Sequence, residues 1–123
     1  MYHIDPGSPI PVYHQLAKQI ELHILSGDLG DGDKLPSIRE LASELRINPN
    51  TIAKTYGILE RKGLVVSRKG RGVFVSIRGF DIDESRHELF TELTEEYLKK
   101  AGRLGLSDDD ILDLLSSRLK GRK

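Results

Sequence analysis

Side chains suited to recognising a partner, rather than transforming one, gather in one part of the chain. Asn48, Asn50, Thr51, Lys54 and Thr55 fall within eight positions, and Arg68, Lys69 and Arg71 follow, interleaved with Gly70 and Gly72. An asparagine amide both donates and accepts, and so pairs bidentately with adenine. A threonine methyl can touch the methyl of thymine, and a lysine donates to guanine or to phosphate. Arginine set between glycines suits a narrow minor groove, because small residues let the backbone approach closely. Arg39 offers a further guanidinium for a phosphate or a guanine; the bland alternative is a surface arginine paired with a neighbouring carboxylate. Asn48 also has a competing use as a helix cap, whereas Asn50 has no capping duty if Asn48 caps.

Reactive constellations are not evident elsewhere. His3, His14, His23 and His87 show no metal-ligand spacing. Ser37 has no histidine near it in sequence. Gly70-Arg71-Gly72 is too short for a phosphate-cradling loop and falls between strands rather than before a helix. Asp108, Asp109 and Asp110 form a charged first helical turn, where the helix dipole favours them, not a catalytic pair. The expectation is therefore no enzyme activity, no cofactor and no metal.

The elements that must position these residues are legible in the pattern. Val12, Leu16, Ile20 and Ile24 recur every four residues after Pro11, with Ala17 and Leu25 beside them: one apolar face of a helix stopped near Gly27. Residues Gly30 to Asp33 read as a turn. Ser37-Ile38-Arg39-Glu40 is a capping box. It opens a second helix, with Ile38, Leu41, Ala42 and Leu45 inward. Arg46-Ile47 makes a tight turn. Asn48 as N-cap and Pro49 at the first position open a third helix, with Ile52, Ala53, Tyr56 and Leu59 as its buried stripe and Gly63 as its end. Leu64–Ser67 and Val73–Val75 read as strands joined by the basic glycine tip, where glycine supplies positive φ. Helix, tight turn, helix and basic hairpin make a winged helix-turn-helix, which presents the start of its last helix to the major groove of DNA. In this reading Ser37, Arg39, Asn48, Asn50, Thr51, Lys54, Thr55 and the run Arg68-Lys69-Gly70-Arg71-Gly72 form the double-stranded DNA surface.

Composition is consistent with that. The net charge is zero, but residues 34–78 carry ten Lys/Arg against three Asp/Glu, a balance of +7. Residues 79–123 carry eight against eleven, a balance of −3. One part is built to meet phosphates and the other is not. A hydrophobic share of 37% supports a modest core. No apolar run approaches the ~20 residues that span a bilayer. The start MYHIDPGSPIP lacks the basic and apolar regions of a secretory signal. With no cysteine, disulfides are excluded and a cytoplasmic setting fits. No membrane partner is expected.

The run from Pro11 to Val75 resembles the DNA-binding domain of the GntR family of bacterial transcription regulators. The resemblance rests on PVYHQLAKQI, GDLGDGDKLPSIRELA, INPNTIAKTYGILERKGLV and GRGVFV, in that order, over about half the chain. It implies that Ser37, Arg39, Asn50, Thr51, Lys54, Gly70 and Arg71 contact DNA. Many members carry arginine early in the third helix, where this chain has Pro49 and Ala53, so their base preference does not carry over. The NPNT form is similar to the YtrA-like and MocR-like branches. MocR-like members add a large aminotransferase domain binding pyridoxal phosphate, for which the remaining 45 residues are too few. The tail instead is similar to that of the YtrA-like branch. That likeness implies a dimerising role and, commonly, repression of operons for ATP-driven transporters.

From about Glu84 a helix is predicted with Phe90, Leu93, Tyr97, Ala101 and Leu104 at alternating three- and four-residue steps. Gly105 breaks it, and Ser107 caps a last helix carrying Ile111, Leu112, Leu114, Leu115 and Leu119. Phe90, Leu93, Tyr97, Leu104, Ile111, Leu112 and Leu115 exceed what two isolated helices can cover, so they either fold over the winged domain or meet a second copy, and the second copy is the favoured expectation. The expected architecture is mainly α with a small β-hairpin: a winged helix-turn-helix over 1–78, then a two-helix dimerisation segment over 79–123. The expected function is a homodimeric, sequence-specific repressor on a palindromic operator. A dimer cleft offers room for a small-molecule effector, although no residue set identifies one. The alternative is a winged-helix module whose basic wing binds an acidic protein.

Overall fold

The computed structural model describes residues 2–122. Its elements are α1 (Val12–Leu25), α2 (Ile38–Leu45), α3 (Pro49–Arg61), β1 (Val65–Arg68), β2 (Gly72–Val75), α4 (Ile82–Arg103) and α5 (Asp108–Lys120). The chain divides into two units, Met1–Ile82 and Asp83–Lys123.

In the first unit α3 packs against α1, α2 and β1. Leu16, Ala17, Ile20 and Ile24 of α1 meet Leu41 and Ala42 of α2, Ile52, Tyr56 and Leu59 of α3, and Leu64, Val65 and Val75 around the hairpin. This is the predicted stripe of each helix, with two exceptions. Ile38 is 36% exposed, because an eight-residue helix has little more than two turns and its second turn makes the core contact. Ala53 is exposed as well, and the place expected for it on the buried stripe is taken by Thr55.

The helix ends follow local chemistry. Ser37 Oγ accepts from the Glu40 amide at 3.0 Å while a Glu40 carboxylate oxygen accepts from the Ser37 amide at 3.1 Å. Asn48 Oδ1 accepts from the Asn50 amide at 2.8 Å, with Pro49 following the cap. At the end of α3 the Leu64 and Gly63 amides return to the Leu59 and Glu60 carbonyls, a Schellman closure. The same closure ends α2, where the Ile47 amide reaches the Ala42 carbonyl at 3.0 Å. There the left-handed position is held by Arg46 at φ 56, not by glycine.

β1 and β2 pair antiparallel from Val65↔Val75 to Arg68↔Gly72. The segment before α2 adds a third edge that the sequence did not reveal. Lys34 bridges Phe74, the Leu35 amide donates to the Val73 carbonyl at 2.8 Å, and the Val75 amide donates to the Asp33 carbonyl at 2.8 Å. At the N-terminus, Gln19 exchanges two hydrogen bonds with the His3 backbone and Gln15 exchanges two with that of Asp5. These two side chains, one turn apart on α1, tie the leading segment to that helix.

In the second unit, α4 begins two residues earlier than the sequence pattern indicated. It closes through the Gly105 amide on the Gly102 carbonyl and the Leu106 amide on the Ala101 carbonyl. Ser107 and Asp110 form a reciprocal capping box at the start of α5. Ala101 and Ile111 are the buried side chains of these helices. Among the described residues no helix is long and apolar enough to cross a membrane.

Candidate nucleic-acid interface

The start of α3 presents Asn50 and Lys54 to solvent, with Thr51 half-buried beside them. Asn48 spends its amide oxygen on the cap, which leaves its NH2 to donate outward. Among the described residues the Asn50 side chain has no hydrogen-bond partner, so its donor and acceptor are both available. The Lys54 ammonium lies 5.5 Å from the centre of the Tyr13 ring, a cation–π distance. This contact orients the ammonium from α1, and the sequence pattern did not reveal it.

Thr55 was expected at the edge of the DNA surface, and the structure corrects this. It is fully buried, and its Oγ1 lies 2.9 Å from the Thr51 carbonyl and 3.3 Å from the Tyr13 carbonyl. Four positions on from half-buried Thr51, it lies only about 40° further round the helix, on the same side and facing the Tyr13 carbonyl of α1. Thr55 fixes α3 in place; it does not touch a partner.

Arg39 is exposed near the start of α2 and, among the described residues, pairs with no carboxylate. The surface-pair alternative for this residue is therefore not what the structure contains. The adjacent Glu40 carboxyl is held below its ordinary value, first by the Ser37 backbone hydrogen bond and then by the Ser37 hydroxyl, with a smaller pull from Lys34. Tyr56 donates to the Pro36 carbonyl at 2.7 Å and braces the loop entering α2. Burial, chiefly, pushes its phenol well above the ordinary range.

The wing carries Arg68, Lys69, Gly70 and Arg71 exposed. The Arg71 amide closes on the Arg68 carbonyl at 2.9 Å, and Gly70 at φ 76 supplies the left-handed residue of that turn. No carboxylate among the described residues forms an ion pair with these three cations. An open groove of ≈ 490 Å³ runs beside α3, lined by Tyr13, Ala53, Lys54, Gly57, Ile58 and Arg61. A second, of ≈ 280 Å³, lies along the hairpin root and includes Arg68 and Arg78. Among the described residues no group of three His, Cys, Asp or Glu side chains is placed to hold a metal ion.

Three helices, a free polar helix start and a basic hairpin define a winged helix-turn-helix of the DNA-binding kind. Residues 3–75 match the model of the bacterial regulatory proteins of the gntR family. The chain belongs to the GntR family, whose members here are transcriptional regulators and not enzymes. It is 38% identical over 111 residues to the HTH-type transcriptional regulator YhcF of Bacillus subtilis, covering 90% of this chain and 92% of YhcF. It is 46% identical over 76 residues to the HTH-type transcriptional repressor YtrA of Bacillus subtilis, covering 62% of this chain and 58% of YtrA. A solved GntR family transcriptional regulator from Listeria monocytogenes superposes with a TM-score of 0.76 at 29% identity, over 93% of this chain and 98% of that one. Solved structures similar to the first unit include a DNA-binding domain in complex with operator DNA.

Proposed function

We propose that this GntR regulator is a homodimeric repressor that reads a palindromic operator with the start of α3 and grips the flanking groove with the wing. Asn50, Thr51 and Lys54 are the base-reading residues, with Asn48 contributing its amide NH2. Arg39 and Ser37 hold phosphate, and Arg68, Lys69 and Arg71 enter the minor groove over Gly70 and Gly72. The observation that carries the reading is that Arg39, Asn50, Lys54, Arg68, Lys69 and Arg71 are exposed at the two helix starts and on the wing and, among the described residues, form no ion pair. A wing built to bind an acidic protein would not need Asn50 and Lys54 beside it at a helix start.

Repression is supported by the likeness to YtrA, which is itself a repressor. The resemblance to the YtrA-like branch implies in addition that the regulated genes form a transporter-type operon. Pairing is supported by the tail, where Phe90, Leu104 and Leu112 are 66%, 79% and 62% exposed, and Leu93, Tyr97 and Leu115 are exposed alongside them. Ile111 is set apart from this group: at 6% exposure in a single copy it is already covered and serves the tail's own packing. Two half-sites roughly double the sequence that one helix-turn-helix can read.

Selection of bound sequences from random duplex DNA tests this reading. An inverted repeat with affinity falling steeply with salt is the expected result. Failure to shift any duplex at low salt would falsify it.

A further inference from the structure

Lys34 stands outside every set of residues that the helix-turn-helix pattern singles out. It lies on the edge segment that pairs with β2, bridged to Phe74, with the Leu35 amide bonded to the next wing carbonyl. Leu35 is buried in the core, so by strand alternation Lys34 faces out. Its side chain does not trail into solvent. A Cβ built on Gly72 would come within 2.9 Å of Lys34 Cε, 3.7 Å of Nζ and 4.0 Å of Cδ. The far end of the lysine therefore runs across the bare backbone where the wing's second strand begins.

That placement sets the ammonium beside the tip end of the wing, against Gly72 and next to Arg71, while Ser37 and Arg39 follow Lys34 at the start of α2. Among the described residues Lys34 has no carboxylate within ion-pair distance, and the Glu40 carboxylate attracts it only from further off. Laying a long, flexible side chain in one lane costs rotamer entropy, against which the free protein sets only the attraction to Glu40. A phosphate lying between the wing and the start of α2 would recover it.

We propose that Lys34 is a DNA phosphate contact, joining the wing and the start of α2 into one backbone clamp. The open lane above Gly72 holds its stem in place. This rests on the DNA-binding reading above and adds a residue and a geometric requirement to it. The contact carries no base information, so it sets affinity and register but not sequence preference.

Lys34→Met keeps the stem and removes the charge. Relative to the unaltered protein, the salt slope of binding should become shallower by about 0.9 per protomer, roughly a fivefold affinity loss per protomer at 0.15 M salt. The loss should be equal across single-base variants of the half-site, and the thermal midpoint should not move. Gly72→Ala is strained at φ 123 in any background. Its affinity loss should nonetheless be smaller in a Lys34→Ala background, where no stem occupies the lane. An unchanged salt slope in Lys34→Met, with the parent protein still binding duplex DNA, overturns the assignment. Equal losses from Gly72→Ala in both backgrounds overturn the positioning by Gly72. Absence of duplex binding by the parent protein fails the underlying reading, and this proposal fails with it.

Discussion

Thr55 illustrates how a single hydroxyl separates support from recognition. Its one proton serves the nearer Thr51 carbonyl, and the side chain is sealed between α3 and α1. Thr55→Val preserves the shape and deletes the bond, so it should cost about 1 kcal/mol in denaturant unfolding while leaving the selected DNA sequence unchanged. Loss of one base position from the selected site would instead return Thr55 to the reading surface. Tyr56 behaves similarly at the opposite side of the helix pair. Tyr56→Phe removes the bond to Pro36 and should cost about 1–2 kcal/mol. Because its phenol is raised in the folded state, the stabilisation is whole below pH 10 and is lost as the pH climbs through the raised native value. Tyr56→Phe should therefore flatten the alkaline decline in the unfolding midpoint. An equally steep decline in the variant would mean that another group titrates there.

Among the elements, what was legible in the sequence was what neighbours in sequence decide. The Ser37–Glu40 box, the Asn48-Pro49 start and the Gly63 stop each involve residues within a few positions, and each formed as expected. The edge formed by Lys34 and Leu35 against β2 spans about 40 positions, and Gln15 and Gln19 reach back over 10 and 16. No local period announces such pairings. Thr55 was misplaced for the same reason: a threonine beside exposed Lys54 reads as polar surface until the position of α1 is known. Arg46 is the opposite case, a local exception to a local rule. Its φ of 56 is a conformation that glycine adopts freely. Arg46→Gly should raise stability by about 0.5–1 kcal/mol, read as a higher denaturant midpoint with unchanged slope. A lower midpoint would show that the arginine side chain makes a compensating contact.

For the whole molecule, the proposed pairing through the tail would bring two reading heads to the DNA instead of one. Its capped helices are legible in Gly105, Ser107 and the aspartates, and its apolar excess in the stripe, but not what covers that excess, since the stripe looks the same whether a neighbour or a second copy lies on it. Phe90→Glu with Leu112→Glu places charge on the exposed apolar face without touching Ala101 or Ile111. Sedimentation should then report the monomer mass, with the tail's helicity retained and operator affinity sharply reduced. A variant that still sediments as a dimer would place the subunit contact elsewhere.

The third edge beside the wing bears on how the protein breathes. The amides of Leu35 and Val75 are both held in the ladder that joins the segment before α2 to β2, and the Gly32 amide is held by the Val75 carbonyl. These three protons should be released to deuterium together, in one cooperative opening that also frees the entry to α2. The Arg71 amide, held only in the tip turn, should exchange far sooner. Wing root and helix start would then share a single unfolding step, so a chain able to flex at the wing tip stays locked where the wing joins the reading head.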